Sequence, residues 1–437
     1  MTDNMNGRAH DNRLRLQNGL LLVGSWLFYA WLDYRYLFLL IVASVLSYFL
    51  GMGIGRTSNE RYRKFFLSAG LLLGLGCLFF FKYFRSFLPL GLSFYTFRML
   101  SYLLDIKSNK IAPTKDWVVY FSYIAFFPCI VAGPIDRPGA LIPQLEQPRV
   151  FDYHRAADGM RQILWGLFKK IVIADNCAVF TDEVFGHYSN WPGISLWMGA
   201  FLYTIQIYAD FSGYSDMAIG LSSVLGFRVT RNFHYPFFAR NIADFWRRWH
   251  ISLTSWLTDY VFTPLSIYFR DYGRRGLILA ILITFIAIGI WHGPNWTFVV
   301  FGLLHGCYYI PLILRGTMNK KAKGGFLSMA FTFLQVMGAF ILFRSASLAA
   351  AAGYYRRLFS GNFFSGFSIF QKVNAAATAI GIASLFAVEW LQRDKEHPLQ
   401  IDAIRPFAVR ALIYYALIGV ILTFSPAKFT DFIYIKF

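Results

Sequence analysis

An all-α, polytopic membrane fold is predicted for this chain by three observations. Of its 437 residues, 57% are hydrophobic and only 15% charged, with a mean hydropathy of +0.45. A soluble domain of this length carries nearer a quarter charged residues. The apolar residues also fall in long continuous runs, several of them near the roughly 20 residues that one helical crossing needs. The runs lack the two-residue alternation of a membrane barrel, which leaves helices as the structure that satisfies its own backbone in lipid.

In chain order, a polar segment of mixed charge, 1–16, precedes the first run. No small-residue cleavage site occurs before Asp33, so no removable signal peptide is expected. Candidate spans then cover 18–32, 36–54, 65–81, 87–104, 116–133, 161–181, 194–209, 213–227, 277–292, 296–314, 326–343, 374–391 and 408–424. Some of these are expected to be re-entrant or interfacial, giving about ten or eleven true crossings. With no internal repeat and no linker, the expectation is one integral membrane domain over 1–437.

The net charge of +19 does not indicate nucleic acid. The basic residues stand in short clusters between apolar runs, as membrane loops do: Arg56, Arg61, Arg63 and Lys64; Lys169 and Lys170; Arg315, Lys320, Lys321 and Lys323. The clusters at 56–64 and 315–323 favour the cytoplasmic side. Cys77, Cys129, Cys177 and Cys307 are far apart and form no C-x-x-C, so they read as small buried hydrophobes. "GMGIG" (51–55) and "GLLLGLG" (70–76) read as small-residue helix contacts in lipid, not nucleotide loops. G-x-S-x-G, H-E-x-x-H and Walker A motifs are absent, which removes the common hydrolase, zinc-protease and NTPase readings.

Polar groups are costly in lipid and therefore mark candidate sites. Asp210 and Asp216 lie in "YTIQIYADFSGYSDMAIG", within an apolar stretch from Ile194 to Phe227 that is too long for one span, with a break expected at Ser212-Gly213. The bland reading pairs these carboxylates with nearby arginines at a structural turn. A second stretch runs from Arg240 to Leu265. Asn241 is positioned to cap a helix whose first turn holds Asp244, and Asp244 can pair with Arg248 at i, i+4. On a continuous helix Phe245, Trp249, Leu253, Trp256 and Tyr260 share an arc of about 80°, opposite Arg247, His250, Thr254 and Thr258. That pattern fits either an interfacial anchor helix or the lining of a donor or substrate cavity.

The third stretch is "GIWHGPNW", at the end of the uncharged run "LILAILITFIAIGIW". Leu277 to His292 makes about 24 Å of helix against a hydrocarbon core of about 30 Å. A helix that starts after Arg274-Arg275 therefore ends at depth, with Gly293-Pro294 breaking it. Broken backbone inside a membrane is tolerated where it lines a cavity or is buried in protein. This places His292 at a cavity, where desolvation favours the neutral, proton-accepting imidazole. "GLLHG" adds His305 in the next span. Neither histidine has metal-ligand spacing, and no metal is expected. A histidine satisfied by a neighbouring carbonyl is the bland alternative for both.

Together these stretches resemble the membrane-bound O-acyltransferase family, most closely its bacterial polysaccharide-acetylating branch of the alginate O-acetylation type. The residues that carry the resemblance are "QNGLLLVGSWLFYAWLDYRYL" (17–37), "FFPCIVAGPIDRP" (126–138), "GLFKKIVIADN" (166–176), "YADFSGYSDMAIGL" (208–221), "NFHYPFFARNIADFWRRWHISLTSWLTDYVFTPL" (232–265), "WHGPNW" and "GLLHG". The resemblance implies helices around a central tunnel or funnel, with His292 the essential catalytic residue and His250 the second family histidine. Trp246, Arg247, Arg248, Trp291, Asn295 and His305 are then expected to line the substrate or donor path, and Asp210, Asp216, Asn241 and Asp244 to support it. The resemblance further implies a cytoplasmic thioester donor, such as acetyl-CoA or an acyl-carrier thioester, with no tightly bound cofactor. The acyl group, expected to be acetyl, passes across a bacterial inner membrane toward hydroxyls of an extracytoplasmic polysaccharide. The implied partners are membrane lipid and an extracytoplasmic SGNH-type acyltransferase. D-alanyl transfer to a cell-wall polymer by the same fold, and a non-enzymatic lipid or solute transporter, are the alternatives. Whether His292 acts as a base or as a transient acyl carrier stays open at this stage.

Overall fold

The computed structural model describes residues 2–85, 88–359, 363–364, 375–425 and 430–433, with backbone alone for 2–11. No strand occurs among the described residues, and the all-α expectation holds. The chain forms two compact units: Met1–Ile163 with Ala218–Arg231, and Leu164–Met217 with Asn232–Phe437. In order, the helices are α1 (Thr2–Arg56), α2 (Glu60–Phe84), α3 (Leu92–Lys107), α4 (Trp117–Ile124), α5 (Phe127–Ile130), α6 (Pro138–Leu145), α7 (Tyr153–Leu167), α8 (Asp175–Gly186) and α9 (Gly193–Val224). They continue with α10 (Ile242–Trp246), α11 (Ile251–Leu257), α12 (Thr263–Tyr268), α13 (Gly273–His292), α14 (Trp296–Leu314), α15 (Phe326–Arg344), α16 (Leu348–Leu358), α17 (Ala375–Leu391) and α18 (Phe407–Thr423).

Among the described residues, five helical stretches are long and apolar enough to cross a membrane: Asn12–Arg56, Glu60–Phe84, Arg270–His292, Trp296–Leu314 and Phe326–Arg344. These five do not account for each expected crossing singly. The first contains two expected spans. Asp33, at φ −161° and ψ 104°, interrupts α1, and its carboxylate pairs with Arg35 at 2.7 Å. The α1 residue Ser47 accepts from Tyr120 Oη at 2.7 Å, and the Asn18 carbonyl accepts from Ser122 Oγ at 3.4 Å. On a straight helix residues 18 and 47 would lie about 44 Å apart. Their meeting on α4 means that α1 folds back at Asp33, so its N-terminal end and the Arg56–Lys64 cluster share one end of a hairpin.

The expected span 116–133 is broken at Ala125-Phe126 between α4 and α5. The carbonyls freed near this break are satisfied by Arg98, a fully buried residue of α3 that donates to Tyr123, Ile124 and Pro134 at 3.2–3.3 Å. Nearly all of α3 is buried in protein, so it behaves as a core helix and not as a lipid-facing one. Residue 87 of the expected span 87–104, and residue 374 of the span 374–391, lie outside the described residues.

Three expectations require correction. First, α9 is one helix of 32 residues and does not break at Ser212-Gly213. Gly213 serves close packing instead: a Cβ there would lie 2.8 Å from the Gly166 carbonyl oxygen. Second, Arg240–Leu265 is not one amphipathic helix. It breaks at Arg247–His250 between α10 and α11, and His250 adopts a left-handed conformation at φ 43°, ψ 54°. After α11 it widens into a π-helical turn, Thr258–Phe262. The helical-wheel arcs therefore do not apply, and Trp246, Trp249, His250 and Trp256 are all buried, which removes the interfacial-anchor reading. Third, α13 begins at Gly273, four residues before Leu277, and its 20 residues reach about 30 Å. Its length suffices to cross, so His292 is buried by neighbouring helices and not by a truncated one.

Lipid tails are as apolar as leucine, so helices in a membrane associate through close packing of small residues. The α13–α14 hairpin depends on this. A Cβ at Gly302 would collide with the Phe285 carbonyl oxygen, and one at Gly289 with the Phe298 carbonyl oxygen. A Gly302→Ala substitution is expected to cost about 1–3 kcal/mol by overpacking. Thermal unfolding of the detergent-solubilised protein checks this, and an unchanged melting temperature contradicts it.

Candidate active site

The candidate histidines come from three local structures in the unit Leu164–Met217 with Asn232–Phe437. His292 ends α13, where Gly293 takes φ 157° and ψ −177°, a region that only glycine enters readily. Asn295 starts the next helix: its side chain accepts from Thr297 N at 3.1 Å and donates to the Ala346 carbonyl at 2.8 Å. The His292 ring is 5% exposed and lies among Trp291, Phe343, Phe298 and Phe301, with centroids 4.6, 4.8, 5.9 and 6.3 Å away.

His305 is fully buried on α14, between Phe301 at 4.6 Å and Trp246 at 5.1 Å. Trp246 Nε1 donates to His305 Nδ1 at 3.2 Å. Indole is a donor only, so Nδ1 is the bare nitrogen of a neutral His305 and Nε2 carries the proton. That Nε2 is buried with no hydrogen-bond partner among the described residues. An unsatisfied buried donor costs about 1–3 kcal/mol, which makes the atom a candidate for a substrate contact.

His250 is organised by Asn232, a residue not singled out from the sequence. Asn232 Oδ1 accepts from Ser252 Oγ at 2.9 Å and Ser252 N at 3.4 Å, and lies 2.9 Å from His250 Nδ1. Its backbone carbonyl accepts from Ile251 N at 2.8 Å. Because the Ser252 N–H can only donate, Oδ1 is an acceptor and the proton on His250 sits on Nδ1. This set of bonds holds the left-handed turn, a conformation that costs about 1–3 kcal/mol. Burial pushes the His250 pKa down to about 3. Below pH 6.5 the unfolded chain therefore takes up a proton that the folded site refuses until about pH 3. Stability falls as pH drops through that window, by up to about 1.4 kcal/mol per pH unit. A His250→Asn variant is expected to melt with a shallower dependence between pH 7 and 5 than wild type, and equal slopes would contradict the assignment.

Two cavities are walled by residues that pack on His292 and His305. The first, of about 320 Å³, is lined by Asn295, Phe298, Phe343, Arg344, Gln206 and Tyr203 among others. Arg344 pairs with Asp182 at 2.6 Å on its wall. The second, of about 240 Å³, is lined by Trp246, Arg247, Thr258, Ile288, Phe285 and Tyr309 among others, and reaches Met318 and Asn319 beyond the end of α14. The first cavity thus meets the start of α14 and the second its end. His292 touches two walls of the first, Phe298 and Phe343, and stands one helical turn beyond Ile288 of the second. His305 touches Trp246 and Phe285 of the second. Phe301 touches both histidines.

A family model for the membrane-bound O-acyltransferases matches residues 113–318. The chain is 35% identical over 399 residues to the probable alginate O-acetylase AlgI of Azotobacter vinelandii, covering 85% of this chain and 78% of that protein. It is 31% identical over 467 residues to that of Pseudomonas putida, covering 97% and 95%. It is 33% identical over 385 residues to the peptidoglycan O-acetyltransferase of Helicobacter pylori, covering 76% and 71%. The chain belongs to the membrane-bound O-acyltransferase family.

The O-acyltransferase is thus a multi-pass membrane enzyme, and the transporter alternative falls. Asn295 lines the first cavity and Trp246 and Arg247 the second, while His292, with Trp291 beside it, and His305 pack against their wall residues. Arg248 turns elsewhere, pairing with Asp244 at 3.0 Å and donating to the His234 carbonyl at 3.4 Å. Asp244 N donates to Asn241 Oδ1 at 2.8 Å, the cap read from the sequence. Its loss in Asn241→Ala is expected to cost about 1 kcal/mol, read as a lower melting temperature. A chain of ring contacts through Phe233, Trp249, Phe340 and Phe343 links His250 to His292.

Asp210 pairs with a lysine and not an arginine, and a lysine pairs with Asp216 as well. Lys170 Nζ lies 2.8 Å from both Asp210 and Asp175, and Lys169 Nζ lies 2.6 Å from Asp216 and 2.8 Å from Ser212 Oγ. The C-terminal segment joins them: Ile433 N donates to Asp210 at 2.7 Å and Thr430 Oγ1 to Asp175. Lys169 and Lys170 are therefore not loop residues, as the sequence reading took them to be. They sit on a π-helical turn, Phe168–Ala174, inside a continuous helical stretch. The sequence signal was present in two cations between apolar residues with an aspartate five positions on. No cluster of three or more metal-binding side chains occurs among the described residues.

Proposed function

We propose that this O-acyltransferase carries an acetyl group from a cytoplasmic thioester to hydroxyls of an extracytoplasmic polysaccharide, with His292 as the catalytic residue. The observation that carries the proposal is a pair of cavities at opposite ends of α14, with His292 packed on Phe298 and Phe343 of the first, His305 packed on Trp246 and Phe285 of the second, and Phe301 against both rings. The second cavity opens beside the basic segment Arg315–Lys323, the end that the charge rule assigns to the cytoplasm. Arg247 lines that cavity and donates to the Met318 carbonyl at 3.2 Å. Cations at this mouth complement the phosphates of coenzyme A or of an acyl-carrier pantetheine arm. The narrow apolar interior between Trp246, Phe285 and Ile288 suits the thioester end. The matched relatives are named for O-acetylation of alginate and of peptidoglycan, which supports acetyl as the group and a glycan as the final acceptor.

The acceptor hydroxyl approaches His292 from the first cavity. The neutral imidazole takes its proton as the oxygen attacks the thioester carbonyl. The tetrahedral oxyanion then collapses, the carbon–sulfur bond breaks, and the leaving thiolate takes the proton back from the imidazolium. The His305 Nε2–H is a donor for the oxyanion, held by the Trp246 bond on its other nitrogen. An extracytoplasmic SGNH-type partner would supply the first hydroxyl and finish delivery to the polymer. Mass spectrometry of exported glycans tests the scheme: cells carrying His292→Ala in place of wild type should lose the acetyl mass increments, and retention of those increments would contradict it.

A further inference from the structure

The unit that contains α1 holds a groove of about 400 Å³ that the proposed chemistry does not use. It is lined by Leu20, Leu21, Phe127, Val150, Phe151 and Phe227 among others, with Arg149 the cationic member. Leu20, Val150 and Phe151 are each well exposed, as are Leu16 and Tyr153 beside them. The position of Arg149 is built and not incidental. Gln17 clamps its backbone, with Nε2 donating to the Arg149 carbonyl and Oε1 accepting from its N–H, both at 2.8 Å. Its Nη1 donates to Asn18 Oδ1 at 2.7 Å, and its guanidinium stacks 4.9 Å from the Phe227 ring. The Gln17-Asn18 pair that opens the first apolar run thus holds this arginine at the groove.

Three more arginines gather there. Arg13 Nη2 donates to the Arg149 carbonyl at 3.3 Å. Arg155 Nη1 donates to the Gly226 carbonyl at 3.1 Å, and its Nη2 is buried with no hydrogen-bond partner among the described residues. Arg228 acts on Arg155 electrostatically. The carboxylate acting on Arg155 is Asp152, which spends an oxygen on the Arg155 N–H at 3.2 Å. None of the four arginines forms an ion pair among the described residues. Partial burial disfavours the charged form of Arg149 and Arg155, so an anion supplied from outside would relieve both.

We propose that this groove binds an anionic phospholipid, its acyl chain along Leu20, Leu21, Val150 and Phe151 and its phosphodiester on Arg149, within reach of Arg13, Arg155 and Arg228. Complementary charge at one end and exposed apolar surface at the other match the two halves of such a lipid. Because α1 folds back at Asp33, Arg13 shares an end with the Arg56–Lys64 cluster, so the lipid belongs to the cytoplasmic leaflet.

Native mass spectrometry of the full-length protein in neutral detergent tests this with phosphatidylglycerol and phosphatidylcholine of identical chains. Wild type is expected to retain phosphatidylglycerol preferentially. Arg228→Gln, at an exposed position, should weaken that retention about 5-fold, and Arg149→Gln by at least as much. Arg149→Lys should keep part of the preference. Equal retention of the two lipids by wild type overturns the proposal, as does an unchanged preference in Arg228→Gln, which decides the matter even when Arg149→Gln fails to fold. Displacement of phosphatidylglycerol by millimolar inorganic phosphate alone would mean an ion site without a lipid, and overturns it too.

Discussion

Replacing His292 with Ala is expected to abolish acyl transfer while the protein still inserts and purifies. The imidazole packs against Phe343 and Phe298 of the first cavity and stands one helical turn beyond Ile288 of the second. Removing a general base at such a point lowers the rate by about 10²–10⁴-fold, enough to bring glycan acetylation below detection. The structural cost is smaller. The substitution opens a void among Trp291, Phe298 and Phe343, and a lost aromatic-sized side chain costs about 3–5 kcal/mol at most where the site cannot relax. The neighbouring cavity gives this site room to relax. Size-exclusion profile and melting temperature separate the two effects: a monodisperse, inactive variant supports the catalytic assignment, and a monodisperse, fully active one ends it. The same measurement on His305→Ala is expected to give a partial loss, because its Nε2–H only assists the oxyanion.

Replacing Lys170 with Met is expected to destabilise the enzyme by about 3–5 kcal/mol, the usual cost of removing one partner from a buried ion network. Lys170 is the common partner of Asp175 and Asp210 at 2.8 Å each, and its Nζ also donates to the Thr430 carbonyl at 2.9 Å. Without it, two carboxylates remain in the protein interior with only hydroxyl and backbone donors. The C-terminal segment loses one of its ties as well, and Thr430 and Ile433 line the first cavity. Loss of yield and a lower melting temperature are therefore accompanied by a change in that cavity. Neutralising the partner as well, in Lys170→Met with Asp210→Asn, should recover part of the stability. A melting temperature unchanged by Lys170→Met alone would show that the network carries little weight.

Much of the site was readable because membrane chemistry makes polar residues conspicuous. His292, His305 and Asn295 stand out against uncharged runs, and Asn241 and Asp244 follow cap spacing that the structure reproduces. What the sequence hid has a common physical origin. Helical periodicity assumes an unbroken helix, and the arcs drawn through Arg240–Leu265 failed because His250 takes a left-handed backbone. The partner that holds this turn, Asn232, is distant in sequence and lies in no repeat or spacing pattern. Lys169 and Lys170 look like a loop cluster because charge usually means water; here their counter-ions arrive from α8 and α9, and the C-terminal segment adds a carbonyl acceptor. Gly213 looked like a breaker because glycine breaks helices in water, whereas between packed helices it permits contact.

By itself the sequence determined that the chain is a helical membrane protein, where most of its helices run, and which residues are too polar to be there without a role. Those follow from transfer energetics and backbone satisfaction, which act on composition and run length alone. Only the tertiary structure decided that α1 folds back at Asp33, that His292 and His305 share Phe301, and that Arg247 lines a cavity while Arg248 pairs with Asp244. Those depend on which distant residues meet, and packing and hydrogen bonding between separate helices leave no periodic trace in the chain.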